Sequence, residues 1–283
     1  MAKIPTTHWL AAIGNDFGMV MQIELLFGNL PLWFIYIMTV VIVLLAVVSG
    51  FRLGSYIRRR RKSGEEAPIG SIVGAMLGLL AFTLGFTLGM AFSRFDARKQ
   101  LLLDDVNRIA TAFLRADFLP EPQRTEARNL LKKYVDIRAK VTYQPEKLPQ
   151  VVVDSEALHE QLWAQVNGLS KQSNDSVLFG LYIQSLNEVI DIHSKRVTVG
   201  LQYHIPGSVW LALYFVTILT MVAVGYNFGT ASAGSFLISL LLGLAFSAVM
   251  LLIVDLDRLT GSFLKVSQKP MIELQQKLSP SAK

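Results

Sequence analysis

A run of 24 residues without a charged side chain, from Ile69 to Phe92, constrains this chain more than any other feature. As a helix it would be about 36 Å long, more than the roughly 30 Å hydrocarbon core of a bilayer. Its small residues recur at spacings of three and four and therefore share one face of a helix. Such a face lets other spans pack closely against it. The glycines of this face, called the glycine stripe below, are Gly70, Gly74, Gly78, Gly85 and Gly89.

Two phenylalanines, Phe82 and Phe86, lie beside the glycine stripe, one helical turn apart. In a symmetric assembly of spans, each would contribute a ring of apolar side chains around an axis. A narrow apolar ring excludes water and thereby blocks ions. We therefore expect a pore constriction at these two residues. The alternative is that both side chains face lipid or pack inside their own subunit.

Three further apolar runs, at residues 30–51, 209–224 and 236–254, bring the number of predicted spans to four. The last two are joined by an uncharged segment, residues 225–234, which is typical of a hairpin turn. Hydrophobic residues make up 52% of the chain, a high fraction for a soluble domain of this length. The sequence therefore predicts an all-α integral membrane protein with four transmembrane helices.

The segment between the second and third spans is richer in charge, and its apolar residues keep a helical period. It predicts a helical extramembrane domain of four helices, the third starting at Asp154 or Ser155 and the fourth at Asn174. At the N-terminus, apolar residues at helical spacing predict a helix in the membrane interface, although a poorly ordered leader is the alternative. The predicted division is 1–29 interfacial segment, 30–92 first two spans, 93–205 extramembrane domain, 206–256 last two spans and 257–283 C-terminal tail.

Catalytic chemistry has no recognisable support in this sequence. There is no cysteine, no glycine-rich phosphate loop between a strand and a helix, and no nucleophile elbow. We therefore expect neither an enzyme nor a cofactor. The basic run from Arg58 to Lys62 is typical of a loop held on the cytoplasmic side, where it also attracts anionic lipid head groups. A loop pinned between two spans does not favour nucleic-acid binding.

Two carboxylates, Asp255 and Asp257, leave the fourth span together. They either end the helix and pair with the arginines that leave the second span, or they coordinate a divalent cation such as calcium. Two carboxylates from one segment are few for such a site. His193 lies on an apolar seam, which favours a core histidine over a metal ligand or a pH switch.

Several segments resemble a known family. Phe82–Phe86 followed by Ser93–Arg98 resembles the pore helix and pore exit of the bestrophins. More closely, the chain from about residue 69 to 267 is identified as a member of the bacterial bestrophin-like domain family. The segments that carry this resemblance are Gly78–Phe82, Arg94–Arg98, Leu103–Ile109, Tyr134–Arg138 and Asp255–Arg258 with Gly261.

The resemblance implies a homo-oligomeric ion channel, pentameric in the bestrophins, whose second helices line a pore for small anions. Phe82 and Phe86 would form its constriction. Arg94 and Arg98 would lend positive potential to one mouth. The alternative function is a non-conducting membrane sensor or scaffold whose four-helix domain binds a ligand or partner.

The distribution of lysine and arginine does not decide the orientation by itself, because both sides of the predicted spans carry them. The resemblance favours a multi-pass protein of the bacterial inner membrane with both termini and the helical domain in the cytoplasm.

Overall fold

The computed structural model describes residues 30–60, 69–141, 144–170, 177–230, 236–258 and 263–279. The predicted interfacial helix, residues Arg61 and Lys62 of the basic run, and the cap expected at Asn174 lie outside these ranges. Regular structure within them is entirely helical, which confirms the all-α prediction. The helices are α1 Leu32–Arg60, α2 Ile69–Arg115, α3 Gln123–Lys140, α4 Leu148–Ser170, α5 Val177–Val197, α6 Gly207–Thr230, α7 Phe236–Asp257 and α8 Lys269–Leu278.

Four of these helices, α1, α2, α6 and α7, are long and apolar enough to cross a membrane. This confirms the four predicted spans. Two of them extend well beyond the apolar runs. α2 continues as one helix for 47 residues, and α6 ends at Thr230. Residues 225–230, which the sequence suggested were part of a hairpin turn, therefore belong to α6.

Close packing of α1 on α6 explains that extension. Gly50 and Gly54 on α1 face Gly225 and Gly229 on α6. A Cβ atom added to Gly50 would lie 2.0 Å from the Val222 carbonyl oxygen. The two backbones therefore touch directly, as small residues at a spacing of four allow. Glycines that looked like turn residues are used for helix packing.

Polar and van der Waals contacts complete the group of α1, α6 and α7. The hydroxyl groups of Thr39 on α1 and Tyr214 on α6 are 2.7 Å apart. α7 packs on α1 at Gly243, where an added Cβ would lie 2.8 Å from Cγ1 of Val43. α1, α6 and α7 therefore pack on one another within the membrane-spanning part of the chain.

The chain divides into two compact units. The first runs up to Ser93 and from His204 to Leu264, and the second comprises Arg94–Tyr203 and the residues from Lys265 onward. In the second unit, α3 packs against α4 and α8, and α4 packs against α5. The C-terminal helix α8 is amphipathic and buries Met271 and Leu274 in this core. α8 thus contributes apolar side chains to the core of the second unit.

The start of α4 differs from the prediction. The helix begins at Leu148, six residues before Asp154, and Pro149 occupies its first turn. Proline suits that position because its missing N–H has no helical partner there. Asp154 and Ser155 lie inside the helix. The Ser155 hydroxyl donates to the Val151 carbonyl at 2.6 Å, so it does not cap an end.

Candidate functional site: the outward face of α2

One side of α2 is buried along almost its whole length. The buried positions recur at spacings of three, four and seven, as in a heptad pattern. They include both apolar and polar residues. This buried seam consists of Val73, Leu80, Leu84, Thr87, Ala91, Arg98, Leu102, Asp105, Ile109 and Ala112.

The opposite side of α2 is exposed in the isolated chain. Its central residues alternate at spacings of four and three, so they form one straight line along the helix. Phe82 is 70% exposed and Phe86 is 64% exposed. Most of each aromatic ring is therefore left uncovered by the part of the subunit that the structure describes. The outward line, as it is called below, consists of Phe82, Phe86, Gly89, Ser93, Asp96, Gln100, Leu103 and Asn107.

The glycine stripe is also open. At none of its five glycines would an added Cβ atom meet another atom of the described chain within 4 Å. Close packing inside the subunit therefore does not require these glycines. It requires the glycines of the α1–α6 contact instead. The stripe is available to lipid or to a neighbouring subunit.

The two arginines expected at a pore mouth do not lie on the outward line. Arg98 is 8% exposed and lies on the buried seam, and Arg94 is half-buried. Arg108 and Arg115 donate to the carbonyl oxygens of α5 residues, at 3.4 Å and 2.9 Å. The burial of Arg98 argues against its predicted role at the pore mouth, because the helical register of α2 turns its side chain away from the face that carries Phe82.

The carboxylates of Asp255 and Asp257 bind backbone groups. Asp255 accepts hydrogen bonds from the N–H groups of Phe263 and Leu264, at 2.7 Å and 2.9 Å. Asp257 accepts from the N–H of Ile205 with both oxygens, at 3.1 Å and 3.2 Å. Charge-assisted bonds of this kind stabilise a buried carboxylate. The described residues contain no group of three potential metal ligands, so these two aspartates gain no third ligand there.

A buried polar cluster in the second unit was not predicted from the sequence. Asp105 on α2 is fully buried, and its Oδ2 accepts from Arg138 on α3 at 2.7 Å and from Arg196 on α5. Arg138 also contacts Nδ1 of His193 at 2.8 Å. Because arginine can only donate, this imidazole accepts with Nδ1 and is neutral. The polar cluster therefore joins three helices through one carboxylate.

Two aromatic side chains complete the polar cluster. The ring of His159 on α4 lies 4.9 Å from the rings of both Tyr134 and His193. Burial, reinforced by the positive charge of Arg138, lowers the pKa of His159 to about 4 and that of His193 to about 2. Burial raises the pKa of Tyr134. Both histidines are therefore uncharged at neutral pH, which agrees with the expectation of a core histidine at position 193.

No local sequence pattern predicts the polar cluster, because most of its members lie tens of residues apart in the sequence. Two of them, however, lie in segments that carried the family resemblance. Asp105 belongs to Leu103–Ile109, and Arg138 ends Tyr134–Arg138. The structure brings these two segments together at one buried ion pair.

Comparison with known proteins places the fold. A family model described as "Bestrophin-like domain" matches residues 38–271. A point mutant of a bacterial bestrophin homologue from Klebsiella pneumoniae aligns with a TM-score of 0.60 at 12% identity, over 87% of this chain and 96% of that chain.

Two further solved structures give similar values. A crystal structure of the Klebsiella pneumoniae homologue solved by zinc phasing has a TM-score of 0.58 at 14% identity, over 87% of this chain and 96% of that one. A structure named as a membrane protein has a TM-score of 0.58 at 14% identity, over 87% and 97%. At these identities the likeness shows the fold alone. No curated protein sequence matches this chain.

Proposed function

Because this chain belongs to the bestrophin-like domain family, we propose that it is the subunit of an oligomeric ion channel whose pore is lined by α2. One observation supports this proposal above all others. The outward line is exposed along about seven turns of helix, although its membrane-spanning part carries two large aromatic rings. Around a symmetry axis, the same line would become the wall of a pore.

Two rings of phenylalanine would form the narrowest part of that pore. Phe82 and Phe86 are one turn apart, so their rings would lie about 6 Å apart along the axis. An ion cannot shed its hydration shell in an apolar neck without a large free-energy cost. Widening of this neck, which lets water enter, would therefore open the channel.

The glycine stripe would serve the assembly. Most of it lies beside the outward line, which it joins at Gly89, and its glycines meet no atom of the described chain within 4 Å of an added Cβ. Without a hydrophobic driving force inside lipid, helices associate by close packing over small residues. We propose a homo-oligomer in the bacterial inner membrane, with the extramembrane domain in the cytoplasm and the pentamer of the bestrophins as the expected assembly.

The sign of the permeating ion is a finer part of the proposal. The family resemblance favours anions. The expected attraction by Arg94 and Arg98 loses support, because Arg98 is buried on the seam and Arg94 is half-buried.

Ion flux from liposomes that contain the purified full chain, measured together with its native mass, tests the channel. Phe82→Ala with Phe86→Ala should raise the flux, because the neck becomes wider and wetter, and should leave the assembly intact. Phe215→Ala is the matched control: this phenylalanine of α6 is 61% exposed and lies off the outward line. It should leave the flux unchanged.

If the parent and the double variant both assemble and neither passes ions, the channel proposal is contradicted. That result would support the alternative, a non-conducting sensor or scaffold. A monomeric parent would contradict the role of the glycine stripe as well. Equal increases in flux from Phe215→Ala and from the double variant would show that aromatic truncation makes the bilayer leak, which also contradicts a neck at Phe82 and Phe86.

A further inference from the structure

The outward line of α2 has one ionised side chain, Asp96. This carboxylate is exposed, and its Oδ2 accepts a hydrogen bond from the Gln100 amide at 2.8 Å. An amide is neutral, so this bond brings no positive charge to Asp96. Any assembly that brings the outward line to a symmetry axis repeats this charge once per subunit.

The positive charges nearby do not offset it. Arg98 lies on the buried seam, and Arg94 is half-buried. Lys99 and Asp104 are both exposed. Lys99 lies about 90° around the helix from the middle of the outward line, whereas Asp104 lies about five helical turns from Phe86 and therefore on the same side of α2 as the outward line. The carboxylate of Asp104 thus adds to that of Asp96, and the outward side of α2 is negative.

We infer that Asp96 forms a ring of carboxylates in the pore and makes the channel prefer small cations over anions; this inference rests on the proposed function. Rings of aspartate or glutamate attract cations and repel anions in cation channels. The preference therefore depends on which face of α2 carries the carboxylate.

Reversal potentials of the full chain in planar bilayers, under a KCl gradient, test this inference. The parent should reverse near the potassium equilibrium potential. Asp96→Asn should lower the ratio of potassium to chloride permeability by a factor on the order of 10 at low ionic strength, where charge effects in clefts reach that size. Asp96→Lys should invert the preference, because it places a positive ring at the same depth.

Asp154→Asn is the matched control. Asp154 is also an exposed aspartate, and it accepts from a glutamine amide, that of Gln150, at 2.8 Å one turn away on the same helix. It lies on α4, and its substitution should leave the permeability ratio unchanged. The inference would be overturned if the current of the parent reversed near the chloride equilibrium potential. It would also be overturned if Asp96→Asn kept the parental ratio of potassium to chloride permeability. Either result would leave the channel proposal intact. If the assembled parent carried no current of either ion, both the channel proposal and this inference would be overturned.

Discussion

Replacing Gly225 by alanine should destabilise the subunit because no space exists for one methyl group. The added Cβ would lie 2.1 Å from the Val47 carbonyl oxygen and 3.0 Å from the Phe51 backbone nitrogen. Both obstacles are backbone atoms of α1, so no side chain can rotate away. The two helices must move apart instead.

The structure sets the size of that movement. Ordinary van der Waals contact begins at 3.4 Å, so the Val47 oxygen must retreat by about 1.3 Å from its present 2.1 Å. Overpacking of this kind costs about 1–3 kcal/mol in soluble cores. The separation also weakens the neighbouring Cα–H···O contacts between the helices, each of which contributes about 0.5–1 kcal/mol. We expect the variant to lose at least about 2 kcal/mol of unfolding free energy.

Gly78→Ala is the matched control for this experiment. It is the same substitution in a membrane-spanning helix, but its added Cβ meets nothing within 4 Å. Alanine favours a helix over glycine, so the control should be neutral or slightly stabilising for the subunit fold. Unfolding of the purified protein by a denaturing detergent, followed by circular dichroism, measures both variants against the parent. Equal stability of Gly225→Ala and Gly78→Ala would refute the reasoning.

Three more outcomes are expected. Asp105→Asn should lower the unfolding free energy by about 3–5 kcal/mol, because it leaves the largely buried Arg138 and Arg196 without their counter-charge. Asp117→Asn at an exposed ion pair should lower it by at most about 1 kcal/mol in the same thermal unfolding experiment. The melting temperature should fall as the pH drops below about 6.5, the ordinary pKa of histidine. In that range the unfolded chain protonates His159, whereas the folded protein does so only near a pKa of about 4, so protons stabilise the unfolded state. His159→Gln should make the melting temperature depend less on pH than in the parent. Gly74→Leu with Gly78→Leu should abolish assembly in native mass measurements while the monomer stays inserted, and an assembled double variant would contradict a role of the glycine stripe between subunits.

The membrane-spanning part could be predicted from the sequence because lipid imposes a simple rule. A span must be apolar for about 20 residues, and its small residues mark a packing face. The exposed face of Phe82 and the open glycine stripe agree with that rule. The pairing of Gly50 with Gly225 was missed because a glycine near the end of an apolar run also fits a turn. A packing glycine can be distinguished from a turn glycine only when the glycine that faces it on the other helix is known.

The polar features could not be predicted from local patterns. Asp105 meets Arg138 and Arg196 across 33 and 91 residues, and a charged residue in a helix is usually solvated. Arg98 was expected at a pore mouth because its charge follows a span. Its burial depends on the register of α2, which a heptad count from the apolar seam could have shown. The hydrogen bond of Asp257 to the Ile205 backbone could not be predicted, because its partner lies 52 residues away.

The central claim is that the outward line of α2 faces an ion path between subunits. The chain has no cysteine, so a single cysteine can report on one position. Phe86→Cys on the outward line and Phe215→Cys on α6 replace equally large side chains, 64% and 61% exposed, within predicted spans. A charged, membrane-impermeant thiol reagent should block the ion flux of liposomes that contain Phe86→Cys and leave Phe215→Cys unaffected. Flux that persists in Phe86→Cys after the same treatment, or is blocked equally in both variants, would contradict the account.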